Sequence, residues 1–467
     1  MEDERLFNRQ YLIGDRHVDL PWKKYAFGPF RVSAHPGLDV MAGKSGDDET
    51  MVLGYIFDAR DPGADAPGIL HRLHALPDFE ALERGTSRYC GRYVILAKRG
   101  GEFRLYPDAV GQRSCCYGHG WAGSQPGLIG LMAEIRKGAA EHVFFSRPHS
   151  LSWPGTATPF EDITMLRPNH YLDLVAMRST RFWPKTPIVR QDVYEAAEKI
   201  VRLISTGMAG AHKRYKLWLA LTAGHDSRVI FTSTKELHRD MEFFIVRDEN
   251  TPPPDVAIPP RLCSAYNLAF RAYPYVNPDR EWLALYDTNV CHMVWGPSRK
   301  KSKTYDLLPP NIMVVKGNVP YAGRATLYRD GYRYKKITPE LLSRLVGYRG
   351  NPVAEGEFHN WLDDFPQGFD DNLLDIFCLE NQGGAWGSME CTGSDTNYQV
   401  FSPYNCRDVI ENQLSVDRSY CVYPHRLNHV MADLKAPEIS HIPMNPKALD
   451  KRIWHKILYI KKCILRK

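Results

Sequence analysis

The sequence predicts a mixed protein of two parts, an α+β half over residues 1–185 and a doubly wound parallel α/β half over residues 186–467. Short strand-like runs separated by turns fill the first half, as at 51–58 and in the hairpin formed by 93–98 and 102–106. Residues 182–187 contain two prolines and predict a linker. Beyond it, helical and buried-strand patterns alternate, which is typical of a parallel sheet.

The second half begins with a predicted helix over 192–205, whose apolar residues form one stripe behind the N-cap Asp192. Buried strands are predicted at 216–221 and 241–246, and each is followed by a helix, at 226–237 and 255–268. From about residue 340 the pattern is mainly helical, at 339–345, 372–378, 408–414 and 451–465. Helical spacing also occurs in the first half, at 79–84 and 127–136.

The composition favours an ordinary folded protein. The net charge of +6 is mild and is concentrated in residues 451–467, so a nucleic-acid partner is not expected. No apolar stretch is long enough to cross a bilayer, and the charged N-terminus does not resemble a secretory signal. The ten cysteines form no CxxC pair, which favours free thiols and a cytoplasmic location.

The most informative stretch is the loop at 222–228. A buried strand ends, a short turn from Thr222 to His225 follows, and Asp226 and Ser227 open a helix. A helix N-terminus presents unpaired N–H groups and the positive end of the helix dipole, which suits phosphate. Ser227 can donate to a phosphate oxygen, and Asp226 can hold Mg²⁺. The predicted site lies at the carboxyl end of a strand, where open α/β sheets bind ligands.

A simple capped turn is the alternative interpretation of the same residues, because Thr, Gly and Asp are common capping residues in any α/β protein. Other nucleotide motifs are weaker. The chain has no GxxxxGK[ST] loop. Residues 118–123 match GxGxxG, but they lie in the half rich in strands and turns without a clear βαβ unit, which favours a glycine-rich turn.

Residues 222–227, TAGHDS, are similar to the SGGxDS pyrophosphate loop of the asparagine synthetase-like ATP pyrophosphatases, the PP-loop group that includes asparagine synthetase, β-lactam synthetase and lasso-peptide cyclases. Other segments resemble this family in the same order. Residues 91–96 with 105–111 resemble the hairpin and D-x-x-G turn of its N-terminal domain, and 166–172 with Trp183 resembles the junction between its domains. Residues 403–408 resemble its late "P-f-l-D" segment. The resemblance extends over roughly residues 50–410.

The resemblance implies a degenerate Ntn-amidotransferase-like α+β sandwich domain at 1–185 and a PP-loop synthetase domain with a helical C-terminal part at 186–467. It implies an ATP-dependent, AMP-forming amide ligase with ATP and Mg²⁺ as cofactors. Asp226 is the implied catalytic residue and metal ligand. The implied ATP and pyrophosphate site consists of Leu221, Thr222, Ala223, Gly224, His225, Ser227, Arg228, Val246, Gly317 and Asn318.

Two departures from the family bear on function. Glutamine-dependent members carry a catalytic cysteine at position 2, whereas this chain has Glu2 and its first cysteine is Cys90. The first half is therefore expected to be a scaffold without glutaminase activity. Residues 315–324 stand where the family has a second acidic motif, but the acids are missing. Gly317 and Asn318 fit loosely there, and an Asn is a weaker Mg²⁺ ligand than a carboxylate.

Three side chains have two interpretations each. Arg228 either binds phosphate as an extra cation or points to solvent, and His225 either contacts phosphate or substrate or lies on the surface. Glu380, on a predicted helix, is a candidate catalytic base for the attacking amine. The alternative for Glu380 is a solvated or salt-bridged helix face.

The leading hypothesis is an amide ligase whose substrates are a small-molecule or peptide carboxylate and an amine, which is ammonia, a separate amine or part of the same molecule. A homodimer is the candidate assembly. The main alternative is a catalytically inactive nucleotide-binding scaffold of the same family, favoured by the missing acids. A tRNA-modifying enzyme fits less well, because paired cysteines are absent. Residues 451–467 predict a basic amphipathic helix that docks on an anionic membrane surface, a carrier protein or RNA, or that packs on the domain.

Overall fold

A computed structural model describes residues 4–138, 152–319, 321–328, 334–369 and 371–446. Twelve antiparallel strands form the first part of the chain. In chain order they are β1 Tyr11–Gly14, β2 Lys23–Phe27, β3 Phe30–Ala34, β4 Val40–Ser45, β5 Asp48–Asp58, β6 Tyr89–Arg99, β7 Glu102–Pro107, β8 Cys116–Gly118, β9 Trp121–Gly123, β10 Thr164–Met165, β11 His170–Asp173 and β12 Arg178–Arg181. Among the described residues of this part, three helices accompany them, α1 Ala66–His74, α2 Phe79–Gly85 and the short α3 Pro126–Ile129.

These strands form two six-stranded sheets, in the orders β10-β8-β9-β1-β3-β2 and β12-β11-β7-β6-β5-β4. Apolar side chains of both sheets share one core, in which Ile13 and Val32 of the first sheet pack with Leu96 of the second. The outer face of the second sheet is covered by α1 and α2, through Ile69 and Leu82 among others. The first part is therefore an α+β sandwich.

The second part contains a five-stranded parallel sheet, made of β13 Lys216–Ala220, β14 Glu242–Arg247, β15 Arg271–Pro274, β16 Ile312–Val315 and β17 Gln399–Phe401. The strand order is β15-β14-β13-β16-β17, which is doubly wound with β13 in the centre. Leu217 and Leu219 of β13 lie in one core while Trp218 lies in another, so the strand is buried on both faces. The predicted fold class is confirmed.

Helices surround this sheet. They are α4 Val193–His212, α5 His225–Ser233, α6 Pro253–Ser264, α7 Arg280–Asn289, α8 Pro297–Lys301, α9 Pro339–Leu345, α10 Pro352–Asp364, α11 Leu373–Cys378, α12 Ser388–Ser394, α13 Arg407–Ser415 and α14 Arg426–Lys435, with a π-helical segment at Leu379–Gly387 between α11 and α12. The predicted N-cap of α4 is present, because the Asp192 carboxylate accepts from the Tyr194 and Glu195 amides.

The structure corrects one predicted helix. Residues 127–136 form a helix only as far as Ile129, and the chain then turns. The basic segment 451–467 lies outside the described residues, and the boundary between 185 and 186 stays a prediction. The nine cysteines among the described residues are free thiols, as predicted. Within those residues, no helix is both long and apolar enough to cross a membrane.

A buried charge cluster joins the two parts of the chain. Asp395, beyond the end of α12, accepts two hydrogen bonds from Arg92 of β6, at 2.9 and 2.8 Å, and one from Arg113 at 3.0 Å. All three side chains are at least 97% buried. Two guanidinium groups that are buried away from water require a negative counter-charge, which the Asp395 carboxylate provides. Asp395 therefore fixes the sandwich to the parallel-sheet part.

Asp395→Asn should lower the free energy of unfolding by about 3–5 kcal/mol, because it leaves two buried cations without their counter-charge. Urea denaturation measures the change. The control is Asp15→Asn, which removes an exposed carboxylate paired with Arg16 and should change the free energy by less than about 0.5 kcal/mol. Equal effects of the two substitutions would show that the cluster does not hold the parts together.

Candidate functional site

The predicted phosphate loop lies at the carboxyl end of β13, where the strand order of the parallel sheet reverses. The Leu221 amide donates to the Phe244 carbonyl at 2.9 Å, which continues the pairing with β14. The Leu221 side chain is buried in the core, so only its backbone lies at the loop. Ligands of open α/β sheets bind in this crevice.

Hydrogen bonds within the protein fix the loop. The Thr222 amide donates to Ser227 Oγ at 3.1 Å, and the Gly224 amide donates to Thr222 Oγ1 at 3.1 Å. The Ala223 amide donates to Asp255 Oδ1, in the first turn of α6, at 2.8 Å. These three amides are therefore engaged. Asp255 was not among the predicted site residues. A signal for it exists in the sequence, because an acid in the first turn of the helix after β14 lies at the same edge of the sheet as the loop after β13.

The first turn of α5 provides unpaired donors, in residues that are 4–6% exposed. Its N-cap is Gly224, which has no side chain to accept from the helix. Within the part of the chain that the structure describes, the backbone amides of His225, Asp226 and Ser227 have no hydrogen-bond acceptor. Three N–H groups at the positive end of a nine-residue helix form an anion-binding arrangement.

The Asp226 carboxylate is held by Arg324. Arg324 Nε donates to Asp226 Oδ1 at 3.0 Å, and Arg324 Nη2 pairs with Oδ2. The Tyr404 hydroxyl donates to the Asp226 carbonyl at 3.1 Å. Gly317 packs on the same residue, because a Cβ at Gly317 would lie 2.7 Å from Asp226 Cβ. The structure thus brings together the three segments 222–228, 315–324 and 403–408 that the sequence analysis singled out.

In the nucleotide-free protein this geometry does not fit a magnesium ion on Asp226, and the assignment of Asp226 as a metal ligand stays a prediction. Both carboxylate oxygens already face the Arg324 guanidinium, which stands where a cation would stand. No cluster of three or more His, Cys, Asp or Glu residues that could hold a metal exists among the described residues. The Asn318 Oδ1 atom is buried and has no hydrogen-bond donor among the described residues. A single amide oxygen does not compensate for missing carboxylates.

Cationic and imidazole side chains surround the open amides. The His225 ring contacts the rings of His425 and His429, with centroids 4.8 and 5.8 Å apart. Burial, and then repulsion from His425 and Arg324, lowers the pKa of His225 to about 3. His225 is buried rather than on the surface and is neutral at physiological pH. A neutral imidazole beside fixed cations can donate one hydrogen bond to an anion.

Arg228 takes neither of the two orientations that the sequence left open. Its side chain is buried, and it donates to the carbonyl oxygens of Ile442 at 3.2 Å and Pro443 at 3.0 Å. The Asn445 amide also donates to the Ala223 carbonyl at 2.7 Å. Arg228 therefore fastens residues 442–445 against the loop, and its guanidinium is not directed at a phosphate. No local pattern in the sequence indicates these partners.

Two further predicted residues are not part of the phosphate loop itself, although the register Ala220–Phe244 places Val246 beside Thr222. Val246 lies in β14, pairs with Tyr273 of β15 and is half-buried. Glu380 is buried and accepts from Arg181 Nη1 at 2.7 Å, from Arg181 Nη2 at 3.0 Å, from Asn169 Nδ2 at 3.0 Å and from Trp361 Nε1 at 2.7 Å. Burial alone would raise the pKa of Glu380, but Arg181 lowers it. This arrangement matches the salt-bridged alternative and leaves the carboxylate fixed rather than free to accept a proton from an amine.

Comparisons with known proteins give weak likenesses. No family model matches the chain, and no curated protein matches it. Among solved structures, an NH3-dependent NAD synthetase from Campylobacter jejuni, in complex with the nitrate ion, is 17% identical, with a TM-score of 0.19 over 37% of this chain and 85% of that chain. A glutamine phosphoribosylpyrophosphate amidotransferase from B. subtilis, complexed with ADP and GMP, is 10% identical, with a TM-score of 0.24 over 69% of this chain and 72% of that chain.

The depressed pKa of His225 predicts a loss of stability in mild acid. Between pH 6.5 and about 3 the unfolded chain binds a proton at this residue and the folded chain does not. The free energy of unfolding should therefore fall as pH falls through this window, by at most about 1.4 kcal/mol per pH unit from this group. His225→Gln should flatten the slope measured by urea denaturation from pH 6.5 to 4. His71→Gln, at an exposed position of α1, is the control, and identical slopes in wild type and His225→Gln would contradict the prediction.

Proposed function

We propose that this chain is an ATP-dependent ligase that joins a carboxylate to an amine and releases AMP and pyrophosphate. The observation that carries the proposal is the N-terminus of α5, with three open amides at the carboxyl end of the central parallel strand. The resemblance of residues 222–227 to a pyrophosphate loop supports the same assignment. On the same residues we propose that the chain is a member of the asparagine synthetase-like group.

In the proposed reaction, a carboxylate oxygen attacks the α-phosphorus of ATP, and the bond to the departing pyrophosphate breaks. The amides of His225, Asp226 and Ser227 and the Arg324 guanidinium bind the pyrophosphate and stabilise its growing negative charge. An amine nitrogen then attacks the acyl carbon, AMP leaves with the bonding electrons, and the nitrogen loses a proton to solvent. The product is an amide.

ATP is the proposed cofactor. The family resemblance also implies Mg²⁺, but the residues around Asp226 do not fit a protein-bound ion, as described above. Arg324 supplies the positive charge at that position instead: its Nε and Nη2 stay on Asp226, and its remaining N–H groups donate to a phosphate oxygen when ATP binds. Asp226 acts as the residue that positions Arg324.

The first half of the chain has no glutaminase role in this proposal. Its thiols among the described residues are Cys90, Cys115 and Cys116, and all three are buried. Burial raises the pKa of each, so that they are protonated and unreactive at physiological pH. The amine is therefore ammonia, a separate substrate or part of the same molecule as the carboxylate. The proposed partners are small molecules or peptides, with no nucleic acid.

A second candidate function is a catalytically inactive nucleotide-binding scaffold. The observation that favours it is the Arg324–Asp226 ion pair, which occupies the only acid of the loop. In this alternative, ATP still binds at the open amides, but no carboxylate is consumed. Turnover therefore distinguishes the two candidates.

ATP should raise the melting temperature of the protein in a saturable way, because a ligand at about 100 times its dissociation constant stabilises the folded state by ~2.7 kcal/mol. Arg324→Met should abolish most of this increase, and each variant is compared with its own ATP-free melting temperature. The double variant Asp226→Asn/Arg324→Met removes both charges, and should also fail to respond. Asp287→Ala, which breaks a similar Asp–Arg pair with Arg299, should respond like wild type.

A screen of carboxylate and amine pairs, read by chromatography of the nucleotide products, then tests the reaction class. The ligase predicts AMP and pyrophosphate in equal amounts with a productive pair. ADP and phosphate as products would overturn the proposal. No increase in melting temperature with ATP in the wild type would overturn both the ligase and the nucleotide-binding scaffold.

A further inference from the structure

A cavity of about 310 Å³ lies between the sandwich and the helical region. Residues near 152–155 form one wall, and residues of α10, of the π-helical segment 379–387 and of the segment around Tyr321 form the others. Its size is in the range of small-molecule sites. None of the described residues that line the cavity carries a charged side chain.

Aromatic side chains dominate the lining. Tyr321, Tyr348, Phe358 and Trp386 all face the cavity. The Tyr348 and Phe358 rings meet edge to face, with centroids 6.2 Å apart, and the Tyr348 hydroxyl donates to the Ser152 carbonyl at 2.6 Å. The wall is therefore fixed in place before any ligand arrives. Rigid aromatic walls favour a flat apolar ring.

Two polar atoms of this lining lack partners. Asn381 is 5% exposed and its Nδ2 donates to the Phe377 carbonyl at 3.1 Å, which leaves Oδ1 without a donor among the described residues. Trp386 Nε1 is also buried and finds no acceptor there. A buried polar atom without a partner lowers stability, so native proteins retain few of them. One unused acceptor and one unused donor in a single cavity indicate a missing ligand.

The backbone around these atoms is unusual in two places. Asn381 and Trp386 both belong to a nine-residue π-helical segment, a conformation that is rare and often occurs at functional sites. Gly155 faces Asn381 with a φ of +57°, and a Cβ there would lie 2.6 Å from Glu357 Oε2 and 3.4 Å from Asn381 Oδ1. Glycine at 155 therefore keeps the wall beside Asn381 open.

We propose that this cavity binds a neutral aromatic small molecule that donates a hydrogen bond to Asn381 Oδ1 and accepts one from Trp386 Nε1. The aromatic rings and neutral amides of the described lining favour a neutral ligand, and the flat walls select a ring. The site is separate from the loop at 222–228, and the inference does not rest on the proposed ligase function.

Benzamide and indole-3-carboxamide are suitable probes, because each combines a neutral ring with a donor and an acceptor. Isothermal titration of the full-length chain, without ATP, should give saturable binding to one site. Benzoate keeps the ring but replaces the donor by a negative charge, and it should bind at least about fivefold more weakly, as expected for one lost hydrogen bond.

Asn381→Leu and Trp386→Phe should each weaken benzamide binding by about fivefold to tenfold. Asn381→Leu should also leave the melting temperature unchanged or raised, which separates loss of binding from loss of folding. The matched control is Asn428→Leu, because Asn428 is another buried asparagine whose Oδ1 has no partner among the described residues, and it lies on α14 away from the cavity. No saturable binding of either probe, or equal effects of Asn381→Leu and Asn428→Leu, would overturn the inference.

Discussion

The arrangement of the candidate site depends on the ion pair between Asp226 and Arg324. A carboxylate that is 5% exposed must be paired, and Arg324 makes a two-point contact with it. This contact holds the segment around 317–324 on the first turn of α5, and Gly317 permits the close approach. The same guanidinium contacts the residue that carries the middle one of the three unpaired amides, so Arg324 both holds these segments together and can meet an anion bound there.

The electrostatics of the site follow from this pair. Arg324 and the helix dipole create positive potential. Burial, and then repulsion from His425 and Arg324, lowers the pKa of His225, which is neutral at physiological pH. Arg228 is used differently, because it fastens residues 442–445 against the loop through carbonyl groups. Asp395 plays a comparable role at the boundary of the two parts, where its carboxylate neutralises two buried arginines. Paired charges thus fix both the site and the scaffold that carries it.

Much of the fold could be predicted from the sequence, because buried strands such as β13 are continuous apolar runs and helices such as α4 have a single apolar stripe. The helix expected at 127–136 stops at Ile129, since the chain folds back and Ile135 packs on Gly130, where a Cβ would lie 2.9 Å from Ile135 Cδ1. Residue types and position alone predict the loop. They do not predict its long-range partners, because no local pattern indicates contacts between residues far apart in sequence, such as Asp226 with Arg324 or Arg228 with Ile442.

A crystal structure of the protein with bound ATP tests the central claim most directly. The account predicts phosphate oxygens about 3 Å from the amides of His225, Asp226 and Ser227, with the Arg324 guanidinium donating to a phosphate oxygen while it stays paired with Asp226. ATP bound elsewhere, or a phosphate group at the loop without a contact to Arg324, would contradict it.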